Sequence, residues 1–205
     1  DFHEKYAGTD LTRDVEGMER VGTYTGYLNE HADAHDMTCE AEIDLFDYAS
    51  SGKVEVYTNY EGTDKALFTD TDSSVSFQVP QTGYYNLYME YLIPESRGVA
   101  AERGVRINGE FPFEDAQNIT FTRIWTDGGE VKTDNQGNQI RPTQIEVYDW
   151  QSSCFEDDMG YITEPYRFYL EKGDNEITLE AENEPMIIRK FMVAPVSVIQ
   201  SYEEY

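Results

Sequence analysis

From Cys39 onward the chain is written in short blocks of alternating apolar and polar residues. In SVSFQV, Val75, Phe77 and Val79 fall on one side of an extended chain, while Ser74, Ser76 and Gln78 fall on the other. Tyr85, Leu87, Met89 and Tyr91 share a face in the next block, with Asn86 and Glu90 opposite. CEAEID, KVEVYTNY, GVRING, FTRIW, QIEVYDW, PYRFYLE, NEITLEA and MIIRKFMV continue the series, each short and rich in β-branched and aromatic residues. Between them, PQTG at 80–83, Asn108-Gly109 and EKGDN at 171–175 carry turn chemistry, because Gly and Asn accept positive φ at little cost. Many short strands on such turns, with no long helical pattern between them, predict an all-β antiparallel β-sandwich and not a parallel α/β sheet.

Residues 1–37 break this pattern. They are polar, with clustered charge, and Tyr24, Tyr27, Leu28 and His31 recur at helical spacing, which predicts a short helix over about 22–34. The chain therefore divides into a lead-in at 1–37, a sandwich at 38–195 and a linker at 196–205. TYTGY at 23–27 is echoed by SYEEY at 201–205, either by chance or because a further unit begins there. With no initiating methionine and an abrupt end, the chain reads as a piece of a longer, processed protein.

A length of 205 residues with 39% hydrophobic residues is enough for one sizeable core. Fifteen Lys and Arg against 41 Asp and Glu give a net charge of −26, which repels phosphate backbones and anionic headgroups. Nucleic acid and membrane surfaces are thereby excluded as partners, and the acidic excess reads first as a solubility device. No apolar run approaches the ~18 residues of a membrane span, so no membrane insertion is expected. Cys39 and Cys154 are 115 positions apart and form no CxxC pair. They are either one disulfide of an exported protein or two buried thiols.

The segment NITFTRIWTDGGEVKTDNQGNQIRPTQIEVYDW at 118–150 is far longer than a sandwich turn and carries aromatic, arginine and amide side chains, which marks a recognition surface. Catalytic machinery is not evident. His3, His31 and His35 all precede the sandwich, so a Ser-His-Asp or Cys-His centre has no histidine there. His31 and His35 lack the Glu of a zinc-protease helix and read as a solvated helix face. DNQGN at 134–138, DTDSS at 70–74 and FEDDMG at 155–160 lack EF-hand spacing and read as Asx-stabilised turns.

EAE at 40–42, VSFQVPQTGYYNLYMEY at 75–91, RINGE at 106–110 and YRFYLEKGDNEITLEAENEPMIIRKFMV at 166–193 align in order with one family pattern. Together they resemble the galactose-binding-like jelly-roll sandwiches, particularly carbohydrate-binding modules of families 6 and 35, over about residues 38–195. The resemblance implies a structural calcium held partly by Glu40 and Glu42. That family closes the calcium shell with an aspartate on the last strand, where this chain has Arg189 and Lys190. A guanidinium paired with Glu42 is the alternative. DNQGNQIRP at 134–142, Trp150-Gln151, GYITEPYRFYLEKG at 160–173 and EPMII at 184–188 resemble an accessory module of large extracellular solute-binding proteins of bacterial ABC transporters. This second resemblance implies an exported, cell-surface location in a sugar-uptake system, with the rest of a larger polypeptide and ABC transporter components as partners.

Sugar recognition needs flat apolar surfaces for the C–H faces of the rings and directional polar groups for the hydroxyls. Trp125, Tyr148, Trp150 and Tyr161 are the expected platforms, and Arg123, Asn138, Arg141 and Gln144 the expected hydrogen-bonding groups. The expectation is a non-catalytic module that binds a glycan or oligosaccharide. Its alternative is a structural or protein-interaction module that packs the same surface against a neighbour.

Overall fold

The structure, a computed structural model, describes residues 21–50 and 54–197. His3, the SYEEY end and most of the expected linker lie outside these residues. The helix α1 (Tyr24–Glu30) leads into β1 (Ala41–Glu42), β2 (Tyr48–Ser50), β3 (Val54–Tyr60), β4 (Thr63–Thr69), β5 (Ser73–Val79), β6 (Gly83–Leu92) and β7 (Ala101–Ile107). A 3-10 turn (Glu114–Gln117) precedes β8 (Ile119–Phe121), β9 (Ile124–Asp127), β10 (Lys132–Thr133), β11 (Gln139–Ile140), β12 (Gln144–Val147) and β13 (Gln151–Cys154). The chain closes through β14 (Phe168–Leu170), β15 (Gly173–Asn183) and β16 (Met186–Ala194).

These strands form an antiparallel β-sandwich. One sheet runs β13–β6–β16–β4–β3, with β14 also on β6 and β1 also on β16, and the other runs β2–β5–β15–β7–β8. The alternation read from the sequence sets the register: Phe77 pairs with Asn175 and Val75 with Ile177. Val75, Phe77 and Val79 turn inward to share one core with Tyr85, Leu87, Met89 and Tyr91, together with Ile177, Leu179, Phe191 and Val193. Phe155 stacks on Phe191 at 5.7 Å in the same core.

β4 escaped the sequence reading because both of its faces are covered. Leu67 belongs to the main core, while Ala66 belongs to a second cluster on the outer side with Leu92, Ile187, Tyr57, Tyr60, Phe68 and Trp150. A strand buried on both sides loses its period-2 signature. Asn86 is also buried, donating to Tyr166 O at 2.8 Å and accepting from Ser197 N at 2.7 Å.

The helix begins where Thr23 accepts a hydrogen bond from Gly26 N at 3.1 Å, as an N-cap hydroxyl should. It ends at His31, short of the expected 34, because the chain then turns to run beside β6. There His35 O accepts from Tyr84 N at 2.9 Å, and Met37 N donates to Tyr84 O at 2.9 Å. Gly83 fits this crossing through its size and not through an unusual φ: an added Cβ would lie 2.5 Å from His35 O and 2.5 Å from Met37 Cε. The helix also meets β14. Tyr24 Oη accepts from Arg167 N at 2.9 Å, and Tyr27 Oη accepts from Tyr169 N at 2.6 Å. Tyr84 Oη in turn donates toward Leu28 O at 3.2 Å and His31 O at 3.3 Å.

His31 is therefore not on a solvated face. It is half-buried, with its ring 4.1 Å from that of Tyr169, and His35 lies beyond the helix end. Cys39 and Cys154 are both free and half-buried.

Candidate functional site

The long 118–150 segment begins with β8 in the sandwich, and its middle, residues 124–147, folds into an arm of its own. β9 and β12 pair as a two-stranded ribbon, and β10 and β11 continue it as a second hairpin. The tip is the expected Asx turn: the Asp134 carboxylate accepts from Gln136 N and Asn138 N, each at 2.8 Å, and from Asn138 Nδ2 at 3.0 Å. These bonds hold the Asp134 carboxyl below the usual aspartate range, chiefly through the Asn138 side chain.

Register decides which side chains share a face. Trp125 pairs with Glu146, and Asp127 with Gln144, so all four side chains project to one side of the ribbon. Gln144 Nε2 donates to Asp127 Oδ1 across the pair. Tyr148, just past β12, joins this side by donating to Glu146 Oε2 at 3.2 Å. Trp125 and Tyr148 remain 48% and 46% exposed. An added Cβ at Gly98 would lie 3.9 Å from Trp125 Cη2, so the 94–99 loop runs past the edge of the indole. The result is an open face with two aromatic rings and a fixed carboxylate–amide pair.

Arg123 holds this face in place. Its side chain is only 2% exposed. The guanidinium donates to Val99 O, to Pro94 O at 3.1 Å, to Ser96 Oγ at 2.6 Å, to Glu146 Oε1 and to Glu184 Oε2 at 3.4 Å. Arg97 adds Nε to Glu184 Oε1 at 2.7 Å and Nη2 to Asn183 Oδ1 at 2.9 Å. The expectation that Arg123 hydrogen-bonds a sugar is thus corrected: its donors are turned inward and spent on the loop, the ribbon and the β15–β16 turn.

Glu184 is the other half of this arrangement. Its side chain is 1% exposed and its φ is +56°, a left-handed conformation that costs a non-glycine residue energy and is held by its surroundings. The Ser96 hydroxyl, then Arg97 and Arg123, hold its carboxyl below the usual glutamate range against the opposing effect of desolvation. A carboxyl depressed in the folded state stabilises the fold above its unfolded pKa and loses that contribution as pH falls through the folded value. Glu184→Gln should therefore melt below the native protein near neutral pH. The difference should close as pH drops below about 4.3 and on through the depressed value, in melting curves taken across that range. A gap independent of pH would contradict the assignment.

Tyr148 sits in a negative field. Partial desolvation, the hydrogen bond to Glu146, and the charges of Glu146 and Glu95 raise its hydroxyl pKa, with Arg123 opposing.

Of the residues singled out from the sequence, Arg123, Trp125, Gln144 and Tyr148 come together, and the others are placed elsewhere. Trp150 is half-buried in the outer cluster, its Nε1 donating to Glu61 O at 2.9 Å and the Arg189 guanidinium lying 4.7 Å over its ring. That is a packing role, contrary to the expected platform. Asn138 is engaged in the arm's tip, and Arg141 lines a cleft of about 290 Å³ with Lys132, Ile140 and Pro142. Tyr161 is 86% exposed on a separate loop, where Asp157 accepts from the backbone of Met159, Tyr161 and Ile162.

Glu40 and Glu42 are both exposed. Arg189 pairs with Glu90 at 2.7 Å and not with Glu42. Arg189 and Lys190 line a cleft of about 390 Å³ together with Glu42 and Asp44, so two cations stand where calcium would need further oxygen ligands. Among the described residues, no group of three or more His, Cys, Asp or Glu is placed to hold a metal. The sequence reading missed Ser96, Gly98, Asp127 and Glu184. Only Asp127 carried a signal, as the cross-strand partner that an IWTD–QIEV ribbon requires.

The sequence matches no protein-family model and no curated protein. Among solved structures, a family 35 carbohydrate-binding module from Clostridium thermocellum is 11% identical, covering 76% of this chain and 98% of that one, with a TM-score of 0.42. The GH26-CBM35 β-(1,4)-mannanase of Podospora anserina is 12% identical over 81% of this chain and 29% of its own length, with a TM-score of 0.44. The Cry4Aa toxin of Bacillus thuringiensis is 12% identical over 78% of this chain and 24% of its own length, at 0.47. This chain thus spans less than a third of the two larger proteins, and the likeness ends at a general similarity of chain path.

Proposed function

We propose that this chain is a non-catalytic carbohydrate-binding module whose ligand lies across the Trp125–Tyr148 face of the arm. One observation carries the reading: two aromatic rings stay half-exposed on one side of a ribbon, beside the Asp127–Gln144 pair. The protein sets them there with a buried ion-pair network, an unusual investment for rings left open to water. The resemblance of the strand motifs to family 6 and 35 modules supports the same reading. An exported, cell-surface setting within a bacterial sugar-uptake protein is part of the proposal and rests on the 134–142 and 160–173 motifs.

The test is a glycan array and affinity-gel screen of the folded chain. Trp125→Ala should weaken binding by about 2 kcal/mol or more, roughly thirtyfold, with its melting temperature retained. Trp150→Ala should keep binding but melt earlier, since its ring packs into the outer cluster. Undiminished binding by Trp125→Ala, or a folded protein that binds no glycan, would sink the proposal.

A second reading, a protein-interaction module, draws on the arm's apolar side chains. Val131, Ile140 and Ile145 are all exposed, and Ile140 lines a cleft that also holds Lys132 and Arg141. A blank glycan screen would turn attention to that surface.

A further inference from the structure

Resting on the glycan-binding reading, we infer that the Trp125–Tyr148 face takes chains of uncharged sugar units and rejects their uronate counterparts. A ring oxidised at its exocyclic carbon carries a carboxylate, and such a chain needs cations along its path. The face supplies the opposite. Asp127 and Glu146 lie on it, Glu95 is close enough for its charge to act on Tyr148, and Glu184 is buried behind it, against two guanidiniums, Arg97 and Arg123.

Both guanidiniums are already engaged. Arg123 is buried and shared between Glu146 and Glu184, and Arg97 gives its Nε to Glu184 and an Nη to Asn183. Their charge is neutralised by the carboxylates they hold, which leaves Glu95 and Asp127 as uncompensated charge at the rim. The arm's own cations do not alter this, because Lys132 and Arg141 line a cleft that includes neither Trp125 nor Tyr148. Beyond the face, a chain of net charge −26 repels any polyanion at long range.

The features that remain suit a neutral chain. Trp125 pairs with Glu146, and Tyr148, two positions on and just past β12, donates to that same Glu146, so neighbouring rings of one chain can each meet an aromatic face. The face is an open side of the ribbon, bordered at Trp125 by the 94–99 loop, and suits an extended chain better than a single trapped sugar.

Pairs of probes that differ only in the exocyclic group separate the possibilities: cellohexaose against a β-1,4-glucuronate hexamer, and mannohexaose against a β-1,4-mannuronate hexamer. Titration calorimetry would be run on the folded chain at low and high salt. For the backbone that binds, the uronate should bind at least about tenfold more weakly at low salt, and the gap should narrow as salt screens the rim. Glu95→Gln and Asp127→Asn should each lower the neutral-to-uronate affinity ratio. A uronate that binds as well as its neutral partner at low salt would overturn the inference and leave the glycan reading standing. So would a ratio unmoved by both variants. If neither member of any pair binds, nor any other glycan on the array, the glycan reading falls and this inference with it.

Discussion

Arg123→Ala should cost this protein about 3–5 kcal/mol of stability, more than most single changes outside its apolar core. The side chain is 2% exposed, and its removal strands Glu184, 1% exposed, and Glu146 without the guanidinium that faces both. It also deletes the donors to Pro94 O, Val99 O and Ser96, so the 94–99 loop loses its anchor to the ribbon. Urea denaturation measures the loss. Much of it comes from leaving the buried Glu184 carboxylate with the Arg97 guanidinium alone, so adding Glu184→Gln to Arg123→Ala should recover part of the stability, a coupling that a double-mutant cycle reads directly. A loss under about 1 kcal/mol, or strictly additive changes, would show that the network is ornamental.

Gly83→Val should be comparably damaging, at about 3 kcal/mol or more, for a different reason. The first carbon of any side chain at this position meets the carbonyl oxygen of His35 at 2.5 Å, and a backbone atom cannot swing aside as a side chain can. Either β6 distorts or residues 35–37 leave it, breaking the bonds from Tyr84 N to His35 O and from Met37 N to Tyr84 O. Limited proteolysis should then cut within 31–40 faster than it cuts the native protein. Native-like melting together with native-like cleavage would show that the crossing is loose.

Both predictions concern positions that the sequence reveals only in part. Gly83 reads as a turn residue in PQTG, yet its requirement comes from a segment nearly fifty residues earlier, and a long-range contact of that kind leaves no local mark. The strands fare better. Ser73–Val79 and Gly83–Leu92 were legible because one face of each meets the core and alternation records that fact. β4 was not, because Ala66 and Leu67 are buried on opposite faces. At the site, the 118–150 segment announced itself through its length and aromatic content, and four of its residues do converge. What could not be read was direction. Arg123 and Trp125 are two positions apart on one face, yet one turns into a cage of carbonyls and carboxylates and the other out to solvent. Trp150, chemically the equal of Trp125, is drawn into the outer cluster by Glu61 and Arg189.

The two tyrosines of α1 bear on how the molecule behaves in company. β14 borders its sheet, and the amide groups of Arg167 and Tyr169 that point away from β6 are occupied by Tyr24 and Tyr27. A bare border of that kind is where another chain can add a strand, the first step toward fibres and swapped dimers. The short helix acts as a cap on that border, so a version trimmed to the sandwich alone would lose two core tyrosines and, with them, its protection against self-association.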